Sequence, residues 1–212
     1  MLRSPGLALA WSTEPGLVVA ALHYGVDAGL YDVVILVWLS SFFVERLIIR
    51  RGGEKSTAVW SDRGSGLLIL LSIFGSISIA NVFATAGFAL LPIGSFYLGL
   101  AMVLLGVAFR IWAVSSLRGY FSYTVQIKEG HRVVEVGPYR FVRHPAYAGS
   151  LLTIVGVGFA LQSWAAVLVI SAVFLLAFGY RIQVEERALI SSLGEEYLSY
   201  SKRVKRIIPF VF

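Results

Sequence analysis

The 212-residue chain has no cysteine, only three histidines, and few charged residues. Without cysteine there can be no disulfide bond, thiolate zinc site or cysteine nucleophile. The dispersed histidines have no zinc-binding spacing either, so no metal is expected. Only 14% of the residues are charged, whereas a soluble domain carries about 25%. Because 58% are hydrophobic, the composition indicates an integral membrane protein, and the length favours a single domain.

Two long stretches, 67–109 and 145–180, contain no charged residue. A membrane-spanning helix needs about 20 apolar residues, so each stretch predicts two spans joined by a turn. The first turn is expected near Pro92 and the second near Ser163. Neither stretch holds the buried ionisable residues of an ion or proton path, which argues against a transporter.

Residues 31–49 predict one further span, which brings the total to five. Residues 1–30 are apolar but rich in Gly and Pro, and they are compatible with either an interfacial helix or a loose arm.

All but one of the 18 Lys and Arg residues fall in three zones, 46–63, 110–143 and 181–206. Five spans place these zones on one side of the membrane, and the turns on the other side have no Lys or Arg. Positively charged loops favour the cytoplasm. We therefore expect the N-terminus outside, the C-terminus in the cytoplasm and the chain in the inner membrane. These flanking residues account for the formal net charge of +6, so no nucleic-acid partner is expected.

The sequence GPYRFVRHPAYAG, residues 137–149, places polar and turn-forming residues directly before the second charge-free stretch. Pro145 suits the first position of a helix, and it biases His144 away from helical angles. Such a loop surrounds a helix N-terminus, where unpaired N–H groups and the helix dipole attract anionic groups. Four of its side chains are candidates for binding: Tyr139, Arg143, His144 and Tyr147.

A second polar cluster begins at Arg181, in the sequence RIQVEER. Arg181 and Glu185 are four residues apart and therefore share one face of a helix, where the last span leaves the bilayer. An ordinary surface ion pair is the alternative interpretation. Gly194 predicts the end of this helix, and a short helix and a hydrophobic tail at the membrane surface should follow.

The motif RHPAYAG at 143–149, followed after the hairpin by RIQVEE at 181–186 and LGEEY at 193–197, resembles the isoprenylcysteine carboxyl methyltransferase family. This family belongs with the membrane phospholipid methyltransferases. The resemblance covers about residues 118–212, and the short chain with five predicted spans looks like the prokaryotic branch.

The resemblance implies an all-α integral membrane helical bundle with about five transmembrane helices. A cytoplasmic-face pocket for S-adenosylmethionine would be built from its C-terminal half. Residues 1–212 would then form one methyltransferase domain, with an N-terminal arm at 1–30, N-terminal spans at 31–117 and a catalytic half at 118–212.

The resemblance also implies roles for individual residues. Arg181 would face the methyl acceptor as the catalytic residue. The cofactor would be surrounded by Gln126, His131, Arg132, Val133, Val134, Tyr139, His144, Pro145, Ala146, Tyr147 and Glu185. Methyl transfer from a sulfonium is an in-line displacement that needs mainly orientation and electrostatics. The lack of a cysteine, metal or catalytic triad is therefore no objection.

The expected acceptor is lipophilic, either a small molecule or a prenylated chain, with a carboxylate of isoprenylcysteine type as the first candidate. An amine or thiol acceptor in a lipid or small apolar molecule is the alternative within this class. From other classes, a membrane NADPH-dependent reductase and a non-catalytic membrane protein stay open. Binding of S-adenosylhomocysteine, of NADPH, or of neither distinguishes these three.

Overall fold

A computed structural model describes residues 28–51, 58–62, 64–117, 120–121, 125–128 and 132–207. The helices are α1 Ala28–Arg51, α2 Gly64–Thr85, α3 Gly94–Ser116, α4 Pro145–Ala160, α5 Trp164–Leu193 and α6 Glu195–Arg203, with a 3₁₀ turn at Gly137–Arg140. Two strands, β1 Ala58–Asp62 and β2 Val125–Lys128, complete the elements of these residues. The predicted helical membrane bundle is confirmed, with a two-stranded ribbon added. The predicted arm lies almost entirely outside the described residues, and the predicted tail lies largely outside them.

The five longest helices lie where the five spans were predicted. Three are long and apolar enough to cross a membrane, namely Leu67–Thr85, Gly94–Ser116 and Trp164–Leu193. Helix α4 is apolar but has only 16 residues. Helix α5 has 30 residues, so it is about 45 Å long and exceeds the ~30 Å hydrocarbon core. Its charged part, from Arg181 onward, therefore extends beyond the apolar part of the bundle.

Large apolar side chains cover the outside of the helices, as expected for contact with lipid. Leu176 on α5 is 77% exposed and Leu71 on α2 is 64% exposed. The inner apolar cluster joins α2, α4 and α5 through residues such as Ala80, Ile154 and Phe174. The bundle therefore has apolar surfaces both inside and outside, as an integral membrane protein requires.

Both predicted turns are present, and they pair with each other at one end of the bundle. The Leu91 N–H donates to the Gln162 carbonyl at 2.8 Å, and the Trp164 N–H donates to the Ala89 carbonyl at 2.8 Å. Because this satisfies backbone groups in both turns, the α2–α3 and α4–α5 hairpins are fixed side by side.

Glycines bring α3 and α4 into close contact. Gly99 and Gly106 of α3 are spaced seven residues apart, as are Gly149 and Gly156 of α4. A Cβ on Gly156 would lie 2.7 Å from the Gly99 carbonyl oxygen, and one on Gly149 would lie 2.8 Å from the Arg110 backbone nitrogen. Small residues commonly allow such approach between membrane helices. The close contact places the α3 end near Arg110 directly against the start of α4.

The two-stranded ribbon connects the two halves of the chain. Strand β1 pairs antiparallel with β2, with Ser61 opposite Gln126 and Asp62 opposite Val125. The connection between α1 and α2 is thereby held against the segment that leads into the polar loop. This ribbon was not predicted from the sequence.

Candidate functional site

The polar loop adopts the predicted conformation at the start of α4. Pro145 is the first helical residue, and His144 before it has non-helical angles of φ −122° and ψ 58°. The loop is held by the C-terminal segment, because the Arg143 N–H donates to the Lys205 carbonyl at 2.7 Å and the His144 N–H donates to the Arg206 carbonyl at 2.9 Å. The positions of the loop side chains therefore depend on a segment about 60 residues away in sequence.

Glu186 connects three basic side chains beneath the loop. Its carboxylate lies 2.9 Å from Arg143 Nη2, 3.2 Å from His144 Nε2 and 2.8 Å from Arg206 Nη2. The residue is only 7% exposed. Arg143 also donates to the Val204 carbonyl. Sequence reasoning selected the neighbouring Glu185 and missed Glu186, although the adjacent glutamate pair at the end of a span was a signal for both.

Tyr147 joins the two residues that the RIQVEER motif singled out. Its hydroxyl donates to Glu185 Oε2 at 2.7 Å and accepts from Arg181 Nε at 3.3 Å. The His144 ring stacks on the Tyr147 ring, with centroids 5.5 Å apart and planes 13° from parallel. Arg181 is 3% exposed, whereas the Glu185 side chain is 32% exposed. The structure therefore brings His144, Tyr147, Arg181 and Glu185 together, with the carboxylate of Glu185 partly open to solvent.

The remaining cofactor candidates surround this group to different extents. Pro145 and Ala146 are buried in the first turn of α4, and Val134 packs against the apolar cluster that contains Tyr139 and Ala146. The Val133 N–H donates to Glu196 Oε1 at 3.1 Å. Arg132 is exposed.

Two candidates lie at or beyond the limits of the described residues. Gln126 is located through its backbone in β2, opposite Ser61. His131 lies outside the described residues.

Tyr139 is buried beside the group and is fixed by α6. Its carbonyl accepts a hydrogen bond from the Tyr200 hydroxyl at 2.7 Å. Burial, followed by the nearby negative charge of Glu185, raises the pKa of Tyr139. Burial and the charge of Glu135 raise the pKa of Tyr200. Both hydroxyls therefore stay protonated across the physiological range and remain hydrogen-bond donors.

An apolar cavity of about 580 Å³ adjoins the polar group. Aromatic and aliphatic side chains of α1, α2, α4 and α5 make up most of its wall, among them Trp38, Phe42, Leu70, Ile154, Phe174 and Phe178. Its polar wall residues include Arg46, Arg110, Tyr147 and Arg181. Tyr147 and Arg181 therefore belong both to the polar group and to the wall of the cavity.

A buried ion pair that sequence reasoning missed reaches the same wall through Arg110. Arg110 of α3 binds Glu45 of α1 through two bonds, Nε to Oε1 at 2.5 Å and Nη2 to Oε2 at 3.0 Å. The Glu45 side chain is 0% exposed. An ionisable residue near the end of an apolar helix was the available signal, but its partner is 65 residues away and could not be paired from the sequence.

Fold and site together define a class: a membrane-embedded helical bundle in which an apolar cavity ends at a polar, partly solvent-exposed group. Residues 99–191 match the family model described as the isoprenylcysteine carboxyl methyltransferase (ICMT) family. The resemblance is confirmed: the match runs from α3 into α5 and contains the RHPAYAG and RIQVEE stretches, while LGEEY at 193–197 lies just beyond it.

Similar proteins bear this family's name. Protein-S-isoprenylcysteine O-methyltransferase B of Arabidopsis thaliana is 33% identical over 115 residues, which are 53% of this chain and 58% of that protein. The protein-S-isoprenylcysteine O-methyltransferase of Schizosaccharomyces pombe is 32% identical over 133 residues, which are 63% of this chain and 52% of that one. The matches thus span only about half the length of these relatives.

A solved structure shares the fold. The eukaryotic intramembrane Ras methyltransferase ICMT has a TM-score of 0.63 to this chain and 23% sequence identity, covering 92% of this chain and 71% of that one. The structural likeness therefore includes α1 and α2, which lie outside the segment matched by the family model.

Proposed function

We propose that the protein is an S-adenosylmethionine-dependent integral membrane methyltransferase that acts on a lipophilic acceptor. One observation carries the proposal: Tyr147 and Arg181 line the apolar cavity and also belong to the polar group with Glu185. A water-soluble cofactor and an apolar acceptor can meet only where two such environments adjoin. The relatives named as isoprenylcysteine O-methyltransferases support this reading.

The polar group has the chemistry that S-adenosylmethionine needs. The cofactor carries hydroxyl and ammonium groups, and the partly exposed Glu185 carboxylate can accept hydrogen bonds from them. It also carries a carboxylate, whose negative charge would be favoured by the helix dipole near the N-terminus of α4. Its adenine and ribose would be enclosed by Gln126, the segment from His131 to Val134, and Tyr139. His144 and Tyr147 would complete the site as its stacked aromatic pair.

The bound cofactor would supply a methyl group made electrophilic by the positively charged sulfur. Arg181 would hold the acceptor carboxylate, because its planar fork can bind two oxygens at once. Tyr147 would fix both Arg181 and Glu185 through its hydroxyl. The apolar cavity would exclude water, which strengthens these electrostatic contacts. A carboxylate is already ionised near neutral pH, so no general base is required.

The favoured acceptor is a lipophilic carboxylate of isoprenylcysteine type. The cavity wall is mainly apolar and its cations favour an anionic head group. An amine or thiol acceptor in a lipid or small apolar molecule is the alternative within the same reaction class. The site would face the cytoplasm of a cell with the chain in its inner membrane, because basic residues such as Arg110, Arg143 and Arg206 lie beside the polar group and positively charged segments favour the cytoplasmic side.

A methyl-transfer screen tests the proposal. Purified protein in lipid nanodiscs would be incubated with methyl-labelled S-adenosylmethionine and with prenylcysteine, fatty acid, lipid amine and apolar thiol acceptors. We expect label in the prenylcysteine product, sensitive to base as a methyl ester is. Label found only in an amine or thiol would show that the acceptor is of that class and not a carboxylate. Binding of NADPH with no methyl transfer would refute the proposed reaction.

A further inference from the structure

Glu45 is an ionisable residue buried among apolar side chains. Its side chain has 0% exposure. It belongs to α1, which lies outside the segment matched by the family model. Burying a carboxylate in such surroundings is costly unless it is paired. Arg110 provides that pairing with both of its facing nitrogens, as a planar guanidinium does with a carboxylate.

The rest of the Arg110 guanidinium is directed at the start of α4. Its Nη1 donates to the Ala146 carbonyl at 3.2 Å and to the Ser150 hydroxyl at 2.7 Å. Tyr147, which bridges Arg181 and Glu185, lies in the sequence between Ala146 and Ser150. Four of the five N–H groups of Arg110 are therefore used, two by Glu45 and two by α4.

Arg110 also lines the apolar cavity together with Arg181. A cation in the wall of such a cavity attracts anions strongly, because little water screens it. An anionic acceptor held at Arg110 would be held away from the Tyr147–Arg181 contact. Glu45 removes most of that attraction, since its carboxylate already occupies the fork.

We propose that Glu45 is a positioning residue. It neutralises the charge of the Arg110 guanidinium and fixes its orientation, so that Arg110 does not bind the carboxylate of a lipophilic acceptor. This inference rests on the proposed function for its consequence in catalysis. It gives α1, which lies outside the segment matched by the family model, a role in the site. Loss of Glu45 should produce tighter binding of a lipophilic carboxylate together with slower methyl transfer. A purely structural ion pair would instead give weaker binding when broken.

The test compares two probes with the same chain length, palmitate and hexadecanol, by titration into nanodisc-embedded protein. Glu45→Gln should bind palmitate about fivefold or more tightly than wild type, with hexadecanol unchanged. The double variant Glu45→Gln/Arg110→Gln should lose this gain. Asp32→Asn is the matched control, since Asp32 is an exposed acid of the same helix, and it should match wild type with both probes. Equal or weaker palmitate binding by Glu45→Gln overturns the proposal, as does an equal gain for hexadecanol.

Two further measurements keep the proposal falsifiable. If Glu45→Gln does not fold, Glu45→Asp is used; its shorter side chain weakens the fork contact and should give a smaller gain for palmitate, and an unchanged affinity overturns the proposal. Methyl transfer by the folded variant should fall roughly tenfold in kcat with KM equal or lower. If wild type transfers no methyl to any acceptor, the proposed function fails, while the palmitate comparison still decides the role of Glu45.

Discussion

Glu185 and Glu186 are adjacent in sequence, yet their carboxylates have different partners. Glu185 accepts from the Tyr147 hydroxyl and keeps a side chain 32% exposed. Glu186 is buried and lies within 3.2 Å of His144 and within 2.9 Å of Arg143 and Arg206. We infer that Glu185 serves ligand binding, whereas Glu186 holds the loop, α5 and the C-terminal segment together.

Substitution of Glu186 should therefore lower stability, whereas substitution of Glu185 should weaken ligand binding. Glu186→Gln leaves Arg143 and Arg206 without their counterion, and breaking such a pair costs roughly 3–5 kcal/mol. Glu185→Gln should leave stability nearly unchanged but weaken S-adenosylhomocysteine binding roughly tenfold or more, because a hydrogen bond to a charged group is lost. Thermal unfolding and calorimetric titration of both variants measure this. Equal loss of stability in both would contradict the separate roles.

Arg181→Lys separates acceptor binding from cofactor binding. Lysine keeps the charge but loses the planar fork that can hold two oxygens. We expect near-normal affinity for S-adenosylhomocysteine and about a hundredfold slower methyl transfer, because misplacing a reacting group by about 1 Å costs that much. If cofactor affinity falls instead, Arg181 belongs to the cofactor site. Wild-type rates would mean that the residue has only a structural role.

At the scale of elements, the contact of α3 with α4 depends on glycines that a single methyl group would disturb. A Cβ at Gly106 would lie 2.6 Å from the Thr153 backbone nitrogen and 2.7 Å from the Gly149 carbonyl oxygen. Gly75 of α2 has no atom within 4 Å of the same position. Gly106→Ala should therefore destabilise the protein by about 1–3 kcal/mol through overpacking.

Gly75→Ala is the matched control and should stabilise by up to about 1 kcal/mol, because alanine loses less backbone entropy in a helix. Unfolding midpoints in the same detergent would show opposite signs for the two variants. A midpoint for Gly106→Ala at or above wild type would show that the helices can separate at low cost.

The positions of the main helices were predictable because their signals are local. The charge-free stretches are continuous in sequence, and Pro145 at a helix start and Gly194 at a helix end act within a few residues. The closeness of Arg181 and Glu185 was also local, since both are on one turn of α5. The sequence thus indicated the bundle and the core of the polar group.

The features that sequence reasoning missed are contacts between distant segments. Glu45 meets Arg110 across 65 residues, and Arg206 reaches Glu186 only because the chain turns back after α6. The ribbon of β1 and β2 likewise joins two distant segments, and nothing in either segment predicts its pairing with the other. A single sequence contains no information on which of several arginines a buried carboxylate will bind.

At the scale of the whole molecule, three basic residues that the structure describes, Arg110, Arg143 and Arg206, contact the start of α4 or Glu186 beside the polar group. Reporter fusions after Gly64, after Gly130 and after Phe212 should therefore all indicate the cytoplasm. The N-terminus is expected on the other side. A signal from outside the cytoplasm at any of the three fusion points would contradict the five-span topology, and with it the access of the site to a cytoplasmic cofactor.

We propose that the group formed by Tyr147, Arg181 and Glu185 binds the methyl donor beside an apolar cavity. The most direct measurement is calorimetric titration of S-adenosylhomocysteine into purified wild type, Tyr147→Phe and the control Tyr180→Phe, whose exposed tyrosine lies next to Arg181. We predict saturable one-to-one binding to wild type and control, and roughly tenfold weaker binding to Tyr147→Phe, because its bridge to Glu185 is lost. Absence of binding to folded wild type, or equal affinity in all three proteins, would contradict the account.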